Sequence, residues 1–194
     1  MSAKGKETRA RTLDAATSEF AEHGIAGARV ECITRAAACN KNLLYVYFGS
    51  KETLFGEVIA RNLTCVYDGQ PFTPEDLPAY AARVCRFAAD HPKVMRLLAW
   101  AALELHTSVD GLRTAAQRRK TEMLCELRPA DSEAENLPPG FLITAVVALS
   151  TAWSVAGPFA TTTPRSLDID ALCRAVSRAV SALTASAPAE GPAG

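Results

Sequence analysis

The sequence predicts an all-α protein of about nine helices. Alanine is abundant while aromatic residues make up only 7% of the 194 residues, a balance that favours helix over sheet. Apolar residues recur at helical spacing along most of the chain, and no segment alternates in the way that a half-buried strand does. Short clusters of Gly, Pro, Asp and Thr separate these segments, as turns do.

The first helix is predicted to end near His23. Leu13, Ala16 and Phe20 are spaced as one inner stripe of a helix. Gly24 follows the last turn, and a residue that tolerates positive φ commonly stands just after a helix end. We therefore expect the chain to turn sharply at Gly24.

Two short helices follow, at about 29–36 and 40–47. Asn40 is a good N-cap for the second of them. Because only three residues separate them, the pair has the length of a helix-turn-helix. Ser50 then caps a fourth helix, which is predicted to run to about residue 67.

The helix at 40–47 is predicted to divide its side chains between the core and a duplex. Leu44 should face inward and Phe48 should enter the core, which leaves amide, ammonium and phenol groups outside. Such groups suit base edges in the major groove and backbone phosphates. The alternative is that this face packs under a neighbouring domain. The predicted DNA-binding residues are Arg29, Asn40, Lys41, Asn42, Leu43, Tyr45, Tyr47 and Lys51.

Residues 11–55, RTLDAATSEFAEHGIAGARVECITRAAACNKNLLYVYFGSKETLF, resemble the N-terminal DNA-binding domain of the TetR (tetracycline-repressor-like) family of bacterial regulators. The resemblance implies a nine-helix, homodimeric transcription regulator whose first three helices bind DNA and whose C-terminal helices bind a small ligand and dimerise. The residues that carry it are Leu13-Asp14-Ala15-Ala16, Phe20-Ala21, Gly24, Val30, Ile33, Ala36-Ala37 and Leu44-Tyr45-x-Tyr47-Phe48-x-Ser50-Lys51-Glu52-x-Leu54.

Four positions depart from the family pattern. Ala28 stands where Thr or Ser often caps the second helix. Ala38 replaces the turn glycine, and a left-handed backbone there would be strained by about 1–2 kcal/mol. Asn42 and Leu43 replace small residues at base-facing positions, so the operator sequence cannot be inferred from relatives.

The rest of the chain is predicted to form a second, helical domain. Turn residues at 68–74 place the boundary, which gives a DNA-binding domain at 1–58 with the fourth helix as connector to about 67. The ligand-binding and dimerisation domain then covers 68–186, and 187–194 is expected to be a disordered tail. The further helices are expected at about 77–90, 92–106, 110–128, 140–156 and 168–186.

Analogy with the family suggests a mostly apolar ligand pocket in the second domain. For each candidate the alternative is a plain core residue. The candidate ligand-binding residues are Phe87, Trp100, His106, Met123 and Trp153.

The helix at 168–186 has a clean apolar stripe, and the helix at 140–156 is apolar nearly all round. Together they suit a four-helix dimer interface, with an intramolecular core as the alternative. The predicted interface residues are Leu142, Val146, Leu149, Leu172, Val176, Val180 and Leu183.

Several function classes are disfavoured by the sequence. Nucleophile motifs, HExxH and a Gly-rich phosphate loop are all missing, which argues against an enzyme. The six cysteines form no CxxC pair, so we expect a reduced, cytoplasmic protein without metal or cofactor. Net charge is zero, although Lys4, Lys6, Arg9 and Arg11 form a basic N-terminal arm that is either a phosphate contact or a solvated tail.

The favoured function is a ligand-responsive repressor. It would bind a near-palindromic operator as a homodimer and be released by a small, largely apolar effector. A helical protein-interaction adaptor, or a helical enzyme without a DNA role, is the alternative.

Overall fold

The computed structural model describes residues 3–104, 108–127, 137–157 and 168–185, with the side chains of 64–69, 104 and 108–113 left aside. Within these ranges the chain forms nine helices and no strand, which confirms the all-α prediction. The helices are α1 (Ala3–Gly27), α2 (Val30–Ala36), α3 (Lys41–Phe48), α4 (Lys51–Gly69), α5 (Leu77–Asp90), α6 (Pro92–Glu104), α7 (Ser108–Leu127), α8 (Pro139–Thr151) and α9 (Ile169–Thr184).

The predicted turn at Gly24 is confirmed. Gly24 has φ 65° and ψ −175°, which interrupts the helical backbone of α1 before a last turn that ends at Gly27. The predicted inner stripe of Leu13, Ala16 and Phe20 is buried. A positive φ costs little free energy at a glycine, because glycine has no Cβ. The chain therefore bends here without strain.

The described helices group into two compact units. The first unit holds α1–α4 and α6; the second holds α5, α8, α9 and the part of α7 that begins at Thr114. The sequence predicts that α6 belongs to the C-terminal domain, whereas its Leu97 and Ala101 are buried in one core with Phe20. An apolar stripe shows that a helix packs, but not which core it joins.

Aromatic packing and ion pairs join α1 to α4 in the first unit. The rings of Phe20 and Phe55 meet edge to face, with 4.9 Å between their centres. Arg9 pairs with Glu57 of α4, and its guanidinium lies 5.0 Å from the ring centre of Phe48. The predicted basic arm is therefore helical from Ala3 onward, and its Arg9 is engaged within the protein.

The turn between α2 and α3 contains a strained alanine. Ala38 has φ 49°, in the left-handed region where the sequence analysis expects strain. A Cβ in that region crowds the following carbonyl oxygen, which costs about 1–2 kcal/mol. The helix-turn-helix thus keeps a left-handed turn residue without the glycine that would relieve its strain.

We expect Ala38→Gly to raise the free energy of unfolding by about 0.5–1 kcal/mol. Glycine relieves the left-handed strain, and its freer unfolded chain offsets part of the gain. Chemical denaturation measures the difference. The matched control is Ala37→Gly next door, where φ is −80° and the residue is buried, so that variant should be less stable than the parent. Equal losses in both variants would contradict the assignment of strain to Ala38.

The second unit has its own core. α5 packs against α8 and α9, and α8 also packs against α9. Four of the predicted dimer-interface residues, Leu142, Val146, Val176 and Val180, are buried in this core within a single chain. Within one chain these four residues therefore form an intramolecular core, which is the alternative left open by the sequence, and the position of a dimer interface stays a prediction. Helical periodicity located the buried stripe but could not say which chain covers it.

The other predicted interface residues lie at the margin of this core. Leu149 and Leu172 are partly buried against it, and Leu183 is exposed. α8 also ends earlier than predicted, at Thr151, because turns follow directly: Ser154 N–H donates to the Thr151 carbonyl. Trp153 therefore lies beyond α8 instead of within it.

The cysteines of the described part of the chain are free thiols. Cys85 of α5 and Cys173 of α9 are both buried in the second core. Burial raises the pKa of the Cys85 thiol, which keeps it protonated and unreactive. Among the described helices, none has both the length and the apolar character needed to cross a membrane.

Candidate nucleic-acid interface

α3 begins and ends where its sequence dictates. Asn40 is the N-cap, and its side-chain oxygen accepts a hydrogen bond of 2.7 Å from Leu43 N–H. Gly49, with φ 75°, stops the helix while its N–H donates to the Tyr45 carbonyl. Leu44 and Phe48 are buried in the first core, as predicted. These two residues fix the inner side of α3, while Lys41, Asn42, Tyr45 and Val46 are exposed.

The outward face of α3 is a stripe of three residues. Asn42, Tyr45 and Val46 follow the i, i+3, i+4 spacing of one helix face. Val46 is 77% exposed and Tyr45 39% exposed. An asparagine can pair with adenine, an aliphatic side chain can meet a thymine methyl, and a phenol can donate to phosphate. These are the groups that a major-groove helix presents.

Val46 is the residue that the sequence analysis missed. The same spacing that placed Leu44 inside puts Val46 on the outer face, one turn after Asn42. The predicted DNA contacts include one aliphatic residue, Leu43, but the helical register that also exposes Val46 was not applied to the valine.

Leu43 and Tyr47 are less exposed than Lys41, Asn42 and Tyr45. Both are partly buried, and Tyr47 packs against the first core with its ring edge to face with Phe48. Tyr47 therefore supports α3 in addition to any contact that its phenol makes with DNA. Replacing it by Ala would remove packing as well as the hydroxyl, whereas Tyr47→Phe removes the hydroxyl alone.

Lys41 is held by an acidic neighbour. Its ammonium lies 2.9 Å from a Glu31 carboxylate oxygen, and both side chains are exposed. The hydrogen bond from Lys41 is the main reason why the pKa of Glu31 is lowered, and the same bond raises the pKa of Lys41. Exposed pairs of this kind are weak. DNA can therefore displace Glu31, although a guanine must compete with it for the Lys41 ammonium.

Lys51 and Arg29 both lie near the start of α2. The Lys51 ammonium donates to the Ala28 carbonyl at 3.3 Å. Arg29, and not Ala28, is the N-cap of α2; its N–H donates to a Glu19 carboxylate oxygen at 2.9 Å, and no side chain caps the helix. The Arg29 side chain is exposed. Two cations thus lie beside the helix-turn-helix.

The N-terminus of α4 adds a second site suited to an anion. Ser50 caps it by accepting from Thr53 N–H at 3.1 Å, as predicted. N–H groups in the first turn of a helix favour a phosphate, and Lys51 stands in that turn. The predicted Ser50 cap and the predicted position of Lys51 are both confirmed; contact with phosphate stays a prediction.

The predicted ligand-binding residues do not lie in one unit. Trp100 packs, partly buried, against the core of the first unit. Phe87 is buried in α5, Met123 is partly buried in α7 and Trp153 packs against the second core. His106 lies outside the described residues. In the described part of the chain, no group of His, Cys, Asp or Glu side chains has the arrangement of a metal site.

Two protein families match the chain over its two halves. Residues 13–58 match the family described as bacterial regulatory proteins, tetR family. Residues 76–181, more than half of the chain, match the tetracyclin repressor-like C-terminal domain. The first match contains α2 and α3 with the outward stripe; the second contains most of the described second unit.

Individual relatives agree with these matches. The HTH-type transcriptional repressor SCO4008 of Streptomyces coelicolor is 32% identical over 162 residues, which are 81% of this chain and 84% of that protein. The crystal structure of SCO4942 from the same organism superposes with a TM-score of 0.78 at 31% identity, over 91% of this chain and 98% of that one. The repressor NicS of Pseudomonas putida is 44% identical over 52 residues, 27% of this chain and 24% of its own. The chain therefore belongs to the TetR family, and it is a bacterial transcriptional regulator that binds DNA through a helix-turn-helix.

Proposed function

We propose that the protein is a repressor that binds a near-palindromic operator as a homodimer and leaves it when a small ligand binds the second unit. The observation that carries the proposal is the exposed stripe of Asn42, Tyr45 and Val46 on α3. A helix with this outer face and a buried inner face is suited to the major groove. Lys51 and Arg29 flank the stripe and supply cations for phosphates.

A dimer would account for a palindromic operator and for the exposed apolar side chains of α8 and α9. Two copies of α3, spaced by about one DNA turn or a multiple of it, would read two half-sites of a palindrome. Exposed apolar side chains remain on α8 and α9, where Phe141 is 58% exposed and Leu183 is exposed as well. Such side chains favour burial against a second copy. We therefore propose that the interface uses these outer faces and not the stripes buried within one chain.

Ligand release needs two arrangements of the dimer. A small molecule that binds the second unit more tightly in one arrangement shifts the population toward it. If that arrangement separates the two α3 helices by the wrong distance, affinity for the operator falls. A differential affinity of a few kcal/mol is enough to move most of the population.

The proposal is tested by selecting bound sequences from a random DNA library and titrating the selected duplex in band-shift assays at several salt concentrations. We expect a near-palindromic consensus, and affinity that falls steeply with salt because phosphate contacts release counterions. Affinity that does not change with salt, or a selection that recovers no consensus, would contradict the proposal. A protein that ignored all DNA would instead be an adaptor.

A further inference from the structure

The basic run Arg118-Arg119-Lys120 on α7 is not a uniform solvated face. Arg118 and Arg119 are exposed, whereas Lys120 is partly buried. The Lys120 ammonium donates to the Tyr80 hydroxyl at 2.6 Å and lies 5.9 Å from the ring centre of Phe72. Its distance from the Tyr80 ring centre is 5.2 Å, so the ammonium sits past the hydroxyl and not over the ring. The third residue of the run thus points into the second unit.

A second cation lies on the same aromatic residue. The Arg83 guanidinium carbon is 5.9 Å from the Tyr80 ring centre. One guanidinium nitrogen, Nη2, donates to the Pro71 carbonyl at 3.2 Å and to the Thr73 hydroxyl at 2.9 Å. In the described residues, no carboxylate lies within ion-pair distance of Arg83. Tyr80 therefore has one cation at its hydroxyl, Lys120, and a second near its ring, Arg83.

Buried polar atoms in this region are left without partners. The Arg83 Nε and the Gln70 Oε1 are both buried and make no hydrogen bond. Such atoms are rare in folded proteins, and each costs free energy unless a ligand or water satisfies it. Burial also lowers the pKa of Lys120, because desolvation disfavours its charged form. Burial raises the pKa of Tyr80 to about 12, so its hydroxyl stays protonated and can donate.

We propose that Lys120, Tyr80 and Arg83 form a binding site for the carboxylate of a small aromatic acid, with Phe72 against its ring. Lys120 and the Arg83 Nε supply charged donors, which bind a carboxylate more strongly than neutral donors do. Phe72 meets the Tyr80 ring edge to face at 5.1 Å and offers an apolar surface to a planar ligand. The inference rests on the proposed function, because it names the chemical class of the effector that the second unit would bind.

The test uses the full-length protein, with benzoate as the probe and benzamide as its uncharged analogue. Calorimetric titration and thermal denaturation should show saturable binding of benzoate, and at least about tenfold weaker binding of benzamide, because a charge-assisted hydrogen bond is lost. Lys120→Met should weaken benzoate binding by at least about tenfold. Arg119→Gln, which removes a charge from the exposed part of the same run, should bind benzoate as the parent does.

The unliganded variants separate a ligand site from a structural role. Replacing Lys120 by Met removes a partly buried charge while keeping an aliphatic side chain, so the melting temperature of Lys120→Met without benzoate should equal or exceed that of the parent. A fall in melting temperature together with no saturable binding of benzoate to the parent would overturn the proposal. Equal binding of benzoate and benzamide, or equal losses in Lys120→Met and Arg119→Gln, would also overturn it.

The same samples distinguish failure of this site from failure of the proposed function. Band-shift assays on the selected duplex report DNA binding without benzoate. A parent protein that binds the duplex but not benzoate would contradict only the proposed carboxylate site. A parent protein that binds benzoate but no DNA would contradict the proposed repressor function and would support the carboxylate site.

Discussion

Val46→Glu should abolish specific DNA binding while leaving the protein folded. The side chain is 77% exposed on the outer face of α3, so the substitution disturbs no packing. A carboxylate placed there meets the negative potential of the duplex, and like charges held together cost several kcal/mol. We expect affinity for the selected duplex to fall by more than about 100-fold in band-shift assays, with the melting temperature unchanged.

The control for this prediction is Leu103→Glu. Leu103 lies in the same unit, on α6, and is 69% exposed, so the substitution makes the same chemical change at a comparable surface position. This variant should bind the duplex nearly as the parent does. If both substitutions lowered affinity alike, the loss would reflect net charge and not the position of α3 in the groove.

Phe20→Ala should give the largest loss of stability. Phe20 is fully buried, and its ring packs edge to face on Phe55 of α4. Removing a buried phenylalanine costs about 3–5 kcal/mol through lost burial and the cavity that remains. For a chain of this size we expect the melting temperature of the first unit to fall by about 6–20 °C. Operator binding should fail at temperatures where the parent still binds.

Hydrogen exchange localises this effect. Amide protection should fall in α1–α4, which share the core around Phe20, while α5 and α9 keep theirs because they belong to a separate core. Leu103→Ala, at an exposed site on α6, should change stability by less than about 0.5 kcal/mol. Uniform loss of protection along the chain would show that the two cores unfold as one.

Local signals in the sequence located most of the fold. The Asn40 and Ser50 caps, the positive φ of Gly24 and the burial of Leu44 each follow from one or two neighbouring residues. Such features are decided by backbone chemistry and helical register, which a sequence displays directly. The left-handed backbone at Ala38 was raised as a possibility for the same reason.

What escaped prediction depends on contacts distant in sequence. The apolar stripe of α6 is compatible with packing in either core. Its membership of the first core, where Leu97 is buried with Phe20, is seen only in the folded structure. The stripes of α8 and α9 face each other within one chain, a pairing that periodicity cannot distinguish from a dimer. The position of Lys120 beside Tyr80 joins α7 to α5 across 40 residues, which no local pattern encodes.

Site-specific photo-crosslinking tests the central claim, that the outer face of α3 lies against DNA. A photoreactive benzoylphenylalanine is placed at position 46 in one sample and at position 103 in another, each bound to the selected duplex. We expect a protein–DNA crosslink from position 46 that excess unlabelled duplex suppresses, and none from position 103. Crosslinking from position 103 with none from position 46 would contradict it.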